Sequence, residues 1–215
     1  MSLAVGCPRC PGEVVRSAEG WSCETHGDVA PLWRPADEAD YEGFAEHLGL
    51  SEGFPTFLPW PLGPDWSVTC FGLVGSGPED VSATVTCLSG TSSMDGPVEL
   101  AVVLEDPGTG LGSRVAGTPY DDPFDDVRTS ASAVRVRLDA AVGSAVALWP
   151  VSTADSDTEW DRSVLAGETE GRWLWLVLRP ASAMLLLRDD WILRDAARTG
   201  PHLVALPFGG PVPGW

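Results

Sequence analysis

The sharpest alternation in the chain is Val134-Arg-Val-Arg-Leu138, where apolar and charged residues take turns. A period of two gives a strand with one dry and one wet face. WLWLVL, residues 173–178, is apolar on both sides and reads as a central strand, with Trp173 and Trp175 sharing a face. From residue 67 onward, turn-rich clusters (GSGPED, SGTSSMDGP, EDPGTGLG, DAAVG) cut the chain into strand-sized pieces. The candidate strands are 67–74, 82–88, 98–105, 113–117, 133–138, 144–149, 163–166, 172–178, 183–188, 191–194 and 202–206. Residues 183–194 read as a hairpin turned at Asp189-Asp190, with a helix over 189–198 as the alternative.

A helical period appears over 36–48, where Tyr41, Phe44, Ala45 and Leu48 recur at i, i+3, i+4 and i+7. Acids crowd its first turns, where the helix dipole favours them, and Gly49 is placed to end it. His47 lies beside the apolar stripe and reads as a partly exposed edge residue. FPTFLPWPLGPDW, residues 54–66, has too many prolines for a helix or central strand and is too apolar for a solvated loop. It reads as an extended stretch over the core. The expected fold is mainly β, or α+β with a large antiparallel sheet. Sandwich, half-open barrel and open sheet all remain compatible. The expected units are 1–33, a connecting segment 34–66, and a sheet-rich domain 67–215.

The strongest chemical signal precedes all of this. Cys7 and Cys10 form C-P-R-C, and Cys23 and His26 form C-E-T-H. A C-x2-C turn lets two thiolates face one ion, and the intervening residues suffice for a short hairpin that returns the second pair. Glu13 to Arg16 and Trp21-Ser22 read as its two strands. The result is a Cys3His zinc ribbon. All four positions are filled by protein, so the zinc is structural, whereas a catalytic zinc keeps one position open. A redox dithiol at Cys7 and Cys10 is the competing reading, but Pro8 and Pro11 favour a knuckle over a helix start.

Charge narrows the partners. The chain has 215 residues and a formal net charge of −18. All 13 basic residues are arginine, and lysine, asparagine and glutamine are absent. That excludes Schiff-base, phosphate-loop and kinase lysines. It also disfavours nucleic acid and anionic membranes. No apolar run approaches a membrane span, and the start of the chain lacks the pattern of a secretory signal. A cytoplasmic protein with reduced thiols is expected.

Other candidates are weaker. Gly108, Gly110 and Gly112, with Arg114, form a loop whose amides suit an anion, but the following SRVAG reads as a strand, so a hairpin or bulge loop is expected. The acidic runs 121–126 and 155–161 read as solvated loops rather than calcium sites. Cys70 and Cys87 lie in strand-like segments and read as small core hydrophobes. Once His26 is given to zinc, His47 and His202 offer no triad context, and no G-x-S-x-G elbow exists.

Taken together, CPRC, CETHG, LPWPL at 58–62, EDPGTGLGSRVAG at 105–117, LWPV at 148–151 and LAGETEGRWLWLVLRP at 165–180 resemble an uncharacterised actinobacterial family, a domain of unknown function. The resemblance spans nearly the whole chain. It implies a high-G+C Gram-positive source and a cytoplasmic protein, and no activity, substrate or catalytic residue. The residues therefore point to a non-enzymatic protein-interaction module. Trp33, Trp60, Trp66 and Trp215 would form its partner surface, and the partner would be an uncharged or basic protein. The alternative is a small-molecule or anion binder, or an enzyme, with its pocket near Gly108–Arg114.

Overall fold

Apolar runs from Ser67 onward supply the middle strands of one broad sheet. The computed structural model describes residues 3–18, 20–77, 80–119, 122–123, 132, 134–138, 145–153, 161–187 and 192–215. Its strands are β1 (Leu3–Gly6), β2 (Val14–Arg16), β3 (Trp21–Cys23), β4 (Gly27–Asp28), β5 (Leu32–Pro35), β6 (Phe57–Pro59) and β7 (Ser67–Gly75). Then come β8 (Val81–Ser92), β9 (Gly96–Glu105), β10 (Val134–Leu138), β11 (Ala145–Pro150), β12 (Ser163–Thr169), β13 (Arg172–Arg179) and β14 (Ile192–Asp195). Two α-helices are described, α1 (Tyr41–Leu50) and α2 (Leu111–Ala116).

Eleven strands form one sheet in the order β1-β5-β7-β8-β9-β13-β12-β11-β10-β14-β6. Its pairs are antiparallel except β10 with β14, so the fold is mainly β with a mixed sheet. The sheet curls. β6 ends the strand order, yet it packs across β8 and β9, and Thr84 on β8 donates a 2.6 Å bond to the carbonyl of Pro55. β2, β3 and β4 make a separate small sheet. Relative to the expected units, β5 spans residue 33 and β7 begins just after residue 66, and both strands belong to the large sheet.

The two faces of the sheet bury two cores, which the period of two sorts out. Leu100, Val102, Leu104, Leu174, Leu176 and Leu178 point into the larger core with Phe44, Phe71 and Leu58. Ala101, Val103, Trp173, Trp175 and Val177 point the other way, against Leu111, Val115 and Ala116 of α2.

Several expected elements differ. α1 starts at Tyr41, because the Asp40 side chain accepts from the Gly43 amide at 2.7 Å and caps the helix there. Its buried face runs through Gly43, Phe44 and His47, while Tyr41 is exposed. His47 is therefore a core residue rather than an edge one. It stacks on Phe44, lies 3.0 Å from the Thr56 hydroxyl, and is pushed down to about 3 by burial, which keeps it neutral.

Residues 113–117 are not a strand but the body of α2. Residues 183–188 and 202–206 fall largely in 3₁₀ turns, Ala181–Leu186 and Gly200–Ala205. In the second of these, Gly200 takes φ +60° and Pro201 lacks the amide a ladder would use. The acidic runs lie mostly outside the described residues, as does the turn expected at Asp189-Asp190.

Candidate metal centre

Pro8, Pro11 and Gly12 hold the first cysteine pair in a tight knuckle. The Cys7 amide bonds to the Gly12 carbonyl at 3.0 Å, closing the turn. The amides of Arg9 and Gly12 point at the sulfurs of Cys7 and Cys10, each at 3.4 Å. Gly12 has a steric reason too, since a Cβ there would lie 3.2 Å from the Cys10 sulfur. β2 and β3 return the chain, so that Cys23 ends β3 and His26 sits in the turn before β4.

The four side chains converge. The sulfurs of Cys7, Cys10 and Cys23 and a ring nitrogen of His26 all lie within 4.8 Å of one another. Cys7 Sγ is 3.5 Å from His26 Nδ1, Cys23 Sγ is 3.7 Å from the same nitrogen, and Cys10 Sγ is 3.7 Å from Cys23 Sγ. A tetrahedral ion with bonds of about 2.3 Å to sulfur and about 2.0 Å to nitrogen needs edges of about 3.5–3.8 Å. Those three edges fall in or near that range, and the cluster is compatible with a metal site. Burial pushes the Cys7 thiol up to about 11. A cation reverses this preference, because a coordinating thiol is deprotonated outright.

The knuckle is clasped to α2 by two reciprocal arginines. Arg9 reaches from the knuckle to the carbonyls of Gly108 and Thr109. Arg114 reaches back from α2 to the Cys7 carbonyl. Arg114 is thus occupied in holding the knuckle.

The glycine-rich loop departs from its expected form. A helix follows it, and its amides do hold a carboxyl group, supplied by the protein itself. Glu105, fully buried at the end of β9, accepts from the amides of Leu111 at 2.8 Å and Gly112 at 3.1 Å. Its other oxygen accepts from the Trp175 indole at 2.7 Å. Gly110, at φ +81°, turns the chain into α2. Gly112 lies against Trp175, where a Cβ would collide with the indole. At the other end of α2, Arg162 donates to the carbonyls of Ala116 at 2.6 Å and Gly117 at 3.2 Å. An acid at the amide end and a base at the carbonyl end both suit the helix dipole.

Glu105 is the residue the sequence reading missed. The signal was available. In VELAVVLE, positions 101, 103 and 105 share a face, which places an acid on an apolar side.

The four tryptophans expected at a partner surface are spread out. Trp60 and Trp66 pack on the larger core, and Trp215 packs on the smaller one, with the guanidinium groups of Arg34 and Arg114 over its ring at 5.0 and 5.3 Å. Trp33 donates to the Gly75 carbonyl at 2.9 Å and lines a groove of about 310 Å³ with Leu3, Glu46, Leu50 and Leu73. None of the eight described tryptophans is exposed; each is buried or half-buried.

Fold and site together define a mainly β protein with a Cys3His knuckle clasped to one face of its sheet. The chain belongs to a family of unknown function, DUF6758, whose model matches residues 1–214. No curated protein and no solved structure matches it. No helix among the described residues is long and apolar enough to cross a membrane.

Proposed function

We propose that this chain is a zinc-stapled, non-catalytic interaction module. In this reading zinc occupies Cys7, Cys10, Cys23 and His26 and fixes a segment too short to fold alone. The closed donor set supports a structural ion, and reduced thiols fit a cytoplasmic protein.

The partner site of this reading is the outer edge of β1 with the groove beside it. The observation that carries it is the sheet order: β1 is the last strand on its side, and the apolar groove of Leu3, Trp33, Leu50 and Leu73 opens next to it. An extended segment of a partner adds to such an edge through main-chain bonds and places a side chain in the groove. The net charge of −18 and Glu46 at the groove favour an uncharged or basic segment. Of the four tryptophans, Trp33 serves this surface, while Trp60, Trp66 and Trp215 serve the cores. The alternative site at Gly108–Arg114 is less favoured, because Glu105 takes the Leu111 and Gly112 amides and the Cys7 carbonyl takes one Arg114 nitrogen.

The test is a photo-crosslinking residue at Leu50, with one at exposed Met94 as control, in the native host. The expected adduct forms at position 50 alone and maps to an uncharged or basic segment. Equal labelling at both positions, or none at 50, refutes the edge site. Separately, metal analysis is expected to find about one equivalent of zinc, and less than about half an equivalent refutes the staple.

A further inference from the structure

Cys70 and Cys87 stand directly opposite each other on β7 and β8. The ladder is irregular between Val68 and Cys70, which puts Cys70 on the α2 side of the sheet. Both side chains belong to the smaller core, at 3% and 1% exposure. Directly opposed residues of an antiparallel pair have Cα atoms about 4.5–5.5 Å apart, inside the disulfide range of about 4.4–6.8 Å. Two thiols on one face at that spacing are within reach of a disulfide. A single buried cysteine has no such option.

We propose that Cys70 and Cys87 are a peroxide-oxidisable dithiol that closes reversibly into a cross-strand disulfide. The surroundings favour one of the two as nucleophile. The Cys87 thiol beside it and the Arg34 guanidinium hold Cys70 below the ordinary thiol range, against the opposing effect of burial. Cys87 is held above that range by Cys70 and by burial, so it keeps its proton. The Cys70 thiolate attacks one oxygen of hydrogen peroxide. An S–O bond forms, the O–O bond breaks, and the leaving hydroxide takes a proton to become water. The Cys87 sulfur then attacks the Cys70 sulfur. The S–S bond forms, the S–O bond breaks, and the departing hydroxyl takes the Cys87 proton and leaves as a second water. Two thiols are oxidised and one peroxide is reduced. Trp215, which is only partly buried, packs on this core beside the pair.

The experiment treats the full-length, zinc-loaded protein with hydrogen peroxide, blocks remaining thiols with N-ethylmaleimide in denaturant, and digests at glutamate. Cleavage at Glu52, Glu79 and Glu99 separates Cys70 from Cys87 and both from the knuckle. The expected product is peptide 53–79 linked to peptide 80–99, two mass units lighter than the sum of the reduced pair and restored by dithiothreitol. C70A should leave Cys87 fully alkylated. Full alkylation of both cysteines in the treated wild type overturns the proposal. So does oxidation of Cys70 without linkage, or a bridge from either cysteine to Cys7, Cys10 or Cys23. The wild-type map decides the matter even where C70A folds poorly.

Discussion

Glu105 turns the pH dependence of stability into a test of how α2 is held. Its carboxyl is fully buried and receives three N–H bonds, from Leu111, Gly112 and Trp175. Burial outweighs those bonds and pushes the group from an ordinary 4.5 to about 7. The folded chain therefore binds this proton more tightly than the unfolded chain does. Such a group stabilises the fold fully below pH 4.5, and its contribution is lost as pH rises through 7. At about 1.4 kcal/mol per unit, the loss between pH 5.5 and 8 comes to about 2 kcal/mol. Glu105→Gln removes the titration. It also turns an amide N–H toward one of the three donors, so the variant is less stable throughout. The informative quantity is the stability of wild type minus variant at each pH, in which the knuckle and the surface acids cancel. Urea unfolding of zinc-loaded protein, followed by tryptophan fluorescence at pH 5.5, 6.5, 7.2 and 8, measures it. The difference should fall by about 2 kcal/mol across the range. A difference flat to within about 0.5 kcal/mol, or one that grows with pH, refutes the reasoning, because the three donors would then offset the burial.

Gly112→Ala should destabilise by about 3 kcal/mol in the same urea assay, since its Cβ meets Trp175 in a packed core. Asp40→Ala should cost about 1 kcal/mol through loss of the α1 cap, read as a fall of about 2–4 °C in Tm. On the proposed zinc site, Arg9→Ala and Arg114→Ala should leave metal stoichiometry unchanged yet speed metal transfer to a chromogenic chelator by about tenfold or more, because each anchors the knuckle and neither belongs to the donor set.

What the sequence made legible was what is local. The Cys3His cluster follows from spacing within 20 residues, and β7 to β9 and β13 follow from apolar runs bounded by turn-rich clusters. α2 was not legible because its stability is not local. GLGSRVAG is six helical residues between two glycines, too short to hold a helix alone. It is held by Glu105 from β9 and by Arg162, 46 residues beyond Ala116. α1 shows a second limit. The periodic stripe counted Tyr41 and Ala45 as core and His47 as edge, whereas the helix turns His47 inward onto Phe44 and Phe71. A neutral histidine with a hydroxyl partner packs as an aromatic, which a hydropathy pattern does not register.

The all-arginine composition acquires a structural meaning here. Arg9 spans the carbonyls of Gly108 and Thr109, and Arg162 spans those of Ala116 and Gly117. A guanidinium fork reaches two neighbouring acceptors in fixed geometry, whereas an ammonium offers one point charge. Arg114 adds a third such link, from α2 to the knuckle. Cations used in this way bond to the protein's own backbone, and Arg162 also pairs with Asp161 at 2.7 Å. Acids outnumber bases over the whole chain, 31 against 13. The arginines therefore join the knuckle, the glycine loop and α2 into one unit. The acids give that unit a negative exterior, to which an uncharged or basic segment has the easier approach.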